Sequence, residues 1–291
     1  MSRGLDHIVH AVRDLDAAAA FYRQLGFTVG ARNRHAWGTH NRIVQLKHCF
    51  VEILEVAEPG KIAPHGAGSF SFGAFNRDFL AHREGLSMLI LNSSNAALDA
   101  QGFEAAGIGG FEVFDFAREG KKPDGTSVKL AFSLAFAVDR ASPQVRFAVC
   151  QHHFPENFWD PAFQVHANGA KAVRGAVMVA DNPTDHHIFL KAFTGVQDLH
   201  SSSIGVKART GNGDVEIMEE VGFRDQFGVS PDVNGEGMTL NGLRFEVTDI
   251  AQAEGLHRQN GIASQRHVGR LVVPPEVACG ATLIFETAKQ G

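Results

Sequence analysis

Residues 5–12 form an apolar-rich stretch of strand length, and the polar pair Arg13 and Asp14 follows it. From residue 15 the period changes: Leu15, Ala18, Phe21, Tyr22 and Leu25 recur at helical spacing, with Asp14 placed to cap the first turn and Gly26 to end the last. Three further short apolar runs, at 27–31, 42–46 and 50–56, read as strands. The order is βαβββ.

The same order recurs. After a long, partly ordered connection at 59–85, a strand at 86–91 leads to a helix at 96–106, opened by Ser94 or Asn95 and closed by Gly107. Strands at 112–117, 127–138 and 145–151 complete this second unit, with a turn signalled by Lys122, Pro123, Asp124 and Gly125. A third unit runs from a strand at 173–180 through a helix at 184–193 to strands at 203–207 and 215–221, with Gly213 and Asp214 in its last turn. A fourth has a strand at 242–248, a helix at 250–259 and strands at 270–273 and 281–287.

A βαβββ unit leaves one concave sheet face uncovered, so units are expected to pair. The fold class is α+β: repeated βαβββ modules paired into two domains, 1–154 and 173–291, joined by a Pro-, Asn- and Gly-containing connection at 155–172. A single α+β sheet whose strands happen to repeat is the competing reading.

Composition narrows the function classes. With 27 basic and 32 acidic residues, a formal charge of −5 and no long single-sign run, the chain offers no footprint for nucleic acid. Cys49, Cys150 and Cys279 are odd in number and far apart, which argues for reduced thiols rather than disulfides or a thiolate zinc site. The absence of a basic leader and of any 18-residue apolar run leads to the expectation of a soluble cytoplasmic protein without membrane partners. The 23 phenylalanines, beside the single tyrosine Tyr22, either build the core or line an apolar ligand cavity.

The stretch 5–27, then 35–46 with its His35, Trp37, Gly38, His40 and Asn41, and 50–55 with Glu52, resemble the opening module of vicinal oxygen chelate proteins. The resemblance is to the glyoxalase-like branch, the group of glyoxalases, bleomycin-resistance proteins and related dioxygenases. Residues 147–170 are similar to a segment of some larger members; beyond residue 173 only the order of elements agrees. The resemblance implies a divalent metal (Fe, Mn, Ni or Zn) held by a first-strand histidine and a last-strand carboxylate, positions that His7 and Glu52 match. Strand alternation puts His7, Val9 and Ala11 on one face and His10 on the other.

Where the second module would offer a histidine it carries Ser87 and Met88, so the end of its last strand is the next source of a ligand. Alternation allows Gln151 with His153, or His152 alone, to face inward, and His152 is the preferred metal ligand. His40, Asn41 and Gln151 are the candidate substrate-binding residues, and Glu52 also the catalytic one. His186 and His187 read as an exposed pair, and Glu216 and Glu286 as last-strand acids of a degenerate second module pair without metal.

Two functions compete. One is a metalloenzyme of lyase, isomerase or dioxygenase type acting on a small apolar or aromatic substrate with vicinal oxygens. The other is metal-free binding or sequestration of a small molecule. Such modules also pair between chains, which leaves a homodimer open, although four units in one chain can pair within it.

Overall fold

The computed structural model describes residues 2–122, 125–233 and 236–288. Pro123 and Asp124, placed above in a turn, lie outside the described residues. The first eight-stranded sheet holds β1 (Leu5–Ala11), β2 (Asn33–Arg34), β3 (Thr39–Leu46), β4 (Cys49–Val56), β5 (Gly85–Asn92), β6 (Phe114–Lys121), β7 (Ser127–Ala137) and β8 (Arg146–His152). Its strand order is β2-β3-β4-β1-β5-β8-β7-β6, so two βαβββ units meet where β1 and β5 pair antiparallel. The second sheet holds β9 (Ala170–Val179), β10 (His200–Ser202), β11 (Gly205–Arg209), β12 (Asp214–Met218), β13 (Thr239–Val247), β14 (Gln265–His267), β15 (Arg270–Val273) and β16 (Thr282–Thr287). It repeats that order as β10-β11-β12-β9-β13-β16-β15-β14. All four units are present, and the class is α+β with two domains.

Of the seven helices among the described residues, four occupy the expected place after a module's first strand: α1 (Leu15–Gln24), α3 (Ala96–Ala105), α5 (His187–Thr194) and α7 (Ile250–Gln259). Asp14, Asn95 and Asp249 accept backbone N–H bonds at the starts of α1, α3 and α7, satisfying donors the helix itself cannot. One buried cluster joins residues of these helices with the facing sides of both sheets: Phe27 lies 5.0 Å from Phe245, and Phe147 5.1 Å from Phe193, ring to ring. The two domains therefore share a core, and their concave faces are turned away from it.

The remaining helices are α2 (Phe72–His82), the four-residue α4 (Pro155–Phe158) and α6 (Glu220–Phe227). Two of them depart from the pattern read above. The connection at 59–85 contains α2, whose Phe72, Phe75 and Phe79 fall on one face and join a second buried cluster on the concave side of the first sheet. On the other sheet, Phe223 and Phe227 of α6 pack against Val177, Val272 and Ile284. Residues 220 and 221, read as the end of a strand, belong instead to the start of this helix, and Glu219 is its N-cap residue. The segment 27–31 also fails to form a strand: Thr28 donates its N–H to His166 Nδ1 (3.0 Å) and its hydroxyl to Val165 O (2.6 Å), both in the interdomain connection. The donors of Thr28 are spent there, while the Gly30 N–H still reaches Ile43 O of β3 at 2.9 Å. Among the described residues no helix is long and apolar enough to cross a membrane.

Candidate functional site

Strand alternation sets the site. Val9 and Ala11 of β1 belong to the concave cluster, whereas Ile8 packs into the shared core on the opposite face. His7, two residues before Val9, therefore faces the concavity, where its ring stacks on Phe50 of β4 with centroids 4.4 Å apart. β1 and β4 run parallel with Val9 opposite Glu52, which brings Glu52 Oε2 to 3.8 Å from His7 Nε2. A register shift between Leu5 and His7 brings the Asp6 carboxylate alongside them. Its Oδ1 accepts from His7 Nδ1 at 2.6 Å and its Oδ2 from His152 Nε2 at 3.0 Å. Burial alone would raise the Asp6 carboxyl; the imidazoles of His152 and His7 outweigh it and hold the pKa at about 2.

Asn41 fixes the other end of Glu52. Its amide nitrogen donates to Glu52 Oε1 at 2.5 Å and to His35 Nε2 at 3.3 Å, while its oxygen accepts from Asn33 at 2.9 Å. With Nε2 accepting, His35 carries its proton on Nδ1 and donates to Thr39 Oγ1 at 2.8 Å. Burial lowers the His35 pKa against a smaller opposing effect of Glu52, so the ring is neutral at neutral pH. These groups form the polar floor of a cavity of about 530 Å³ including its mouth, walled by Trp37, Phe50, Phe72, Phe114, Phe116 and Phe132. On β6, Phe114, Phe116 and Arg118 alternate onto the cavity side, and Arg118 stands at its edge.

The predicted site residues separate accordingly. His7, Glu52 and Asn41 meet at the cavity floor. His152 shares their face of the sheet, since Cys150 on the same strand belongs to the concave cluster, but it meets His7 through Asp6. Its Nδ1 is buried without a partner among the described residues. Gln151 points the other way and accepts from the Ala96 N–H at the start of α3 (3.0 Å), so alternation removes it from the ligand. His40 likewise faces away: its Nε2 meets Glu58 at 3.2 Å and its Nδ1 meets Arg32 at 3.1 Å. His153 bonds Ser133 Oγ at 2.7 Å. His10 lies between Tyr22 Oη (2.9 Å) and Cys279 O (3.0 Å), away from the cavity. His186, read as exposed, is buried and donates to Asp139 (2.6 Å); only His187 is exposed.

The donor set fits a divalent ion. Among the described residues His7 Nε2 has no hydrogen-bond partner, Glu52 Oε2 faces it, and Asp6 behind Nδ1 fixes the tautomer that presents the Nε2 lone pair. Among the described residues, one trio of histidine, cysteine or carboxylate ligand atoms lies within 4.8 Å of one another: Asp6, His7 and Cys150. Burial, with Asp6 and Glu52 adding to it, raises the Cys150 thiol well above its usual range, so it stays protonated unless a cation draws it off.

The family model described as a glyoxalase-like domain matches residues 5–194, more than half of the chain. The chain belongs to the glyoxalase-like family. Its fold resembles that of a hypothetical protein from Staphylococcus aureus, with a TM-score of 0.70 at 12% identity over 98% of this chain and 100% of that one. A variant of 4-hydroxymandelate synthase from Streptomyces coelicolor aligns with a TM-score of 0.58 at 11% identity, over 100% and 94% of the two chains. The Mn(II)-bound glyoxalase from Novosphingobium aromaticivorans gives 0.56 at 10% identity, over 98% and 82%. No curated protein matches the sequence significantly.

The second glyoxalase-like domain shows what happens to this site when its histidine is absent. Glu216 of β12 lies opposite Val177 of β9 as Glu52 lies opposite Val9, which makes Gly175 the counterpart of His7. Arg244 of β13 fills the space, its Nη1 3.5 Å from where a Gly175 Cβ would be. Its guanidinium bonds Glu216 on one side and Glu286 Oε1, at 2.5 Å, on the other. Lys207 and Arg270 complete the network through Glu216 Oε2 and Glu286 Oε2, each at 3.0 Å.

From the sequence, Asp6 or neighbouring carbonyls are expected to partner the ligating imidazoles, but His35, Arg118 and the link Asp6 makes between two histidines were missed. The bulge that turns Asp6 inward leaves no mark in the letters. Arg118, by contrast, was legible as the third alternate position after Phe114 and Phe116.

Proposed function

We propose that this chain is a metal-dependent glyoxalase-like enzyme of the isomerase or lyase type, acting on a small apolar or aromatic molecule that carries two neighbouring oxygens. The observation that carries it is the pairing of His7 Nε2 with Glu52 Oε2 at 3.8 Å, backed by Asp6, on the floor of an aromatic cavity. His7 and Glu52 would hold the ion, and the bound ion would serve as a Lewis acid toward the substrate oxygens.

The protein's own groups do the rest. The phenylalanine walls orient an apolar body and exclude water. Asn41 keeps Glu52 Oε1 occupied, so that Oε2 alone is directed to His7. His35 is the nominee to take a proton at Nε2: its ring is neutral, and its 3.3 Å contact with Asn41 is weak enough to be exchanged for a ligand. A proton-transfer reaction is preferred to oxygen insertion because one imidazole, not two, faces Glu52. Metal-free binding is the second reading; it is favoured by Ser87, whose hydroxyl is bonded to Asn76 (2.7 Å) at the place where a second histidine was sought.

Metal content of untagged protein, measured after equilibration with Mn(II), Fe(II), Ni(II) or Zn(II), tests the proposal. The expected result is about one tightly held ion in the unmodified chain, lost in His7→Ala and Glu52→Gln. No retained ion with any of the four metals would leave the binding reading.

A further inference from the structure

Arg118 is a cation without an anion. Its guanidinium lines both the aromatic cavity and the larger groove that opens beside it. It donates a long hydrogen bond from Nη1 to the backbone oxygen of Glu119 at 3.3 Å, and among the described residues no carboxylate comes within ion-pair distance. Glu52 is near enough to be felt electrostatically, yet it is committed to Asn41 and faces His7. Other desolvated arginines have acceptors close by: Arg244 lies between two carboxylates, Arg83 meets Asp232, and Arg146 donates to the backbone carbonyls of Ser142, Pro143 and Val145. A guanidinium that is partly desolvated and unpaired at a cavity edge costs stability, and a planar anion offered from outside would remove that cost.

The groove around Arg118 points the same way. It also presents Lys121 and Lys122, neither of which pairs with a carboxylate among the described residues, against Glu119 and Asp160. Arg32, in the same groove, is already held by Glu55 and Asp16. The free charge at the approach is thus positive, although the whole chain carries a net charge of −5. The apolar walls begin immediately inside, because Arg118 and Phe116 are alternate residues of one strand.

We infer that the ligand of this cavity is an organic carboxylate with an aromatic or apolar body, its carboxylate paired with the Arg118 guanidinium and its body held between the phenylalanine walls. The inference deepens the proposed function and rests on its assignment of this cavity to a small molecule, but not on the metal. Arg118 recognises the anion in either a metal-bound or a metal-free protein, and two parallel N–H···O bonds from its fork give it a preference that a lysine would meet only in part.

The test uses the full chain after exhaustive chelation and two matched probe pairs, 3-phenylpropanoate with 3-phenylpropanamide and benzoate with benzamide, titrated by calorimetry. Each acid should bind at least about tenfold more tightly than its amide, and the difference should shrink as salt rises. Arg118→Gln should abolish the difference while leaving amide binding intact, and Arg118→Lys should restore part of it. Should Arg118→Gln fail to fold, Lys121→Gln with Lys122→Gln and the salt dependence of the unmodified chain serve instead, with weaker acid binding expected. Equal binding of acids and amides by the unmodified chain, or a preference that survives in Arg118→Gln, overturns the inference and leaves the cavity assignment standing. Failure of both probe pairs to bind at millimolar concentration overturns it together with that assignment.

Discussion

Asp6 Oδ1 lies 2.6 Å from Nδ1 of His7, its neighbour along the same strand, a contact that regular alternation would forbid and that the register shift before His7 permits. The carboxylate orients the imidazole and makes Nε2 a better donor toward whatever occupies the cavity floor. Asp6→Asn keeps the shape and removes the charge. Its affinity for Mn(II) or Zn(II) is expected to fall by roughly 10–100-fold in a calorimetric titration, with cavity binding of a neutral aromatic amide unchanged.

His7 and His10 are three residues apart and have opposite duties. His10 is fully buried between the Tyr22 hydroxyl and the Cys279 carbonyl, and burial lowers its pKa. His10→Ala should lower stability by about 1–3 kcal/mol through lost packing and an orphaned carbonyl, while metal content is retained. His7→Ala should show the reverse. Thermal unfolding and metal analysis on the same two preparations check this, and equal metal loss in both would mean that the cavity floor is wrongly assigned.

The sequence carried the fold because each module repeats one local code: a short apolar strand, an Asp or Asn cap and a helix of one apolar face, then strands separated by turns. Elements that serve only tertiary packing escaped it. Phe72, Phe75 and Phe79 have helical spacing, but they lie in a segment with Pro64, Gly66 and Gly68 upstream that reads as a loop. Within the site, alternation puts His7 on the concave face in the sequence already, whereas the register of β3 and β8 was needed to turn Asn41 toward the cavity and His40 and Gln151 away from it. For His152 alternation left the phase of β8 open, and its link to His7 through Asp6, 146 residues away and turned by a register shift, has no trace in the pattern.

Arg244 stands as an internal cation between Glu216 and Glu286. Removing it leaves two buried carboxylates facing a void. Arg244→Ala is therefore expected to destabilise the chain by about 3–5 kcal/mol near neutral pH, whereas Arg244→Met combined with Glu216→Gln and Glu286→Gln should recover most of that loss. Urea unfolding at matched ionic strength reads both. A mild effect of Arg244→Ala would mean that Lys207 and Arg270, which already contact the two acids, neutralise them unaided.

His257 gives the last prediction. It sits on α7 with its ring 5.2 Å from that of Phe285, fully buried, and neither ring nitrogen has a hydrogen-bond partner among the described residues. Burial lowers its pKa from 6.5 to about 4, against a smaller opposing effect of Glu254. The folded chain therefore keeps this ring neutral in a range where the unfolded chain protonates it, so the unfolded state binds more protons between pH 6.5 and 4. Stability contributed by the neutral ring is fully present above pH 6.5, declines as pH falls through this window, and levels off below about 4. His10, His35 and His166, also lowered by burial, act in the same direction, so the unmodified chain should lose stability on acidification more steeply than one residue explains. His257→Leu removes one of these groups together with two unsatisfied nitrogens. It should raise the Tm at neutral pH and flatten the fall between pH 7 and pH 4.5, which scanning calorimetry across that range measures. An unchanged slope in His257→Leu would show that His257 is not protected from protonation in the folded chain.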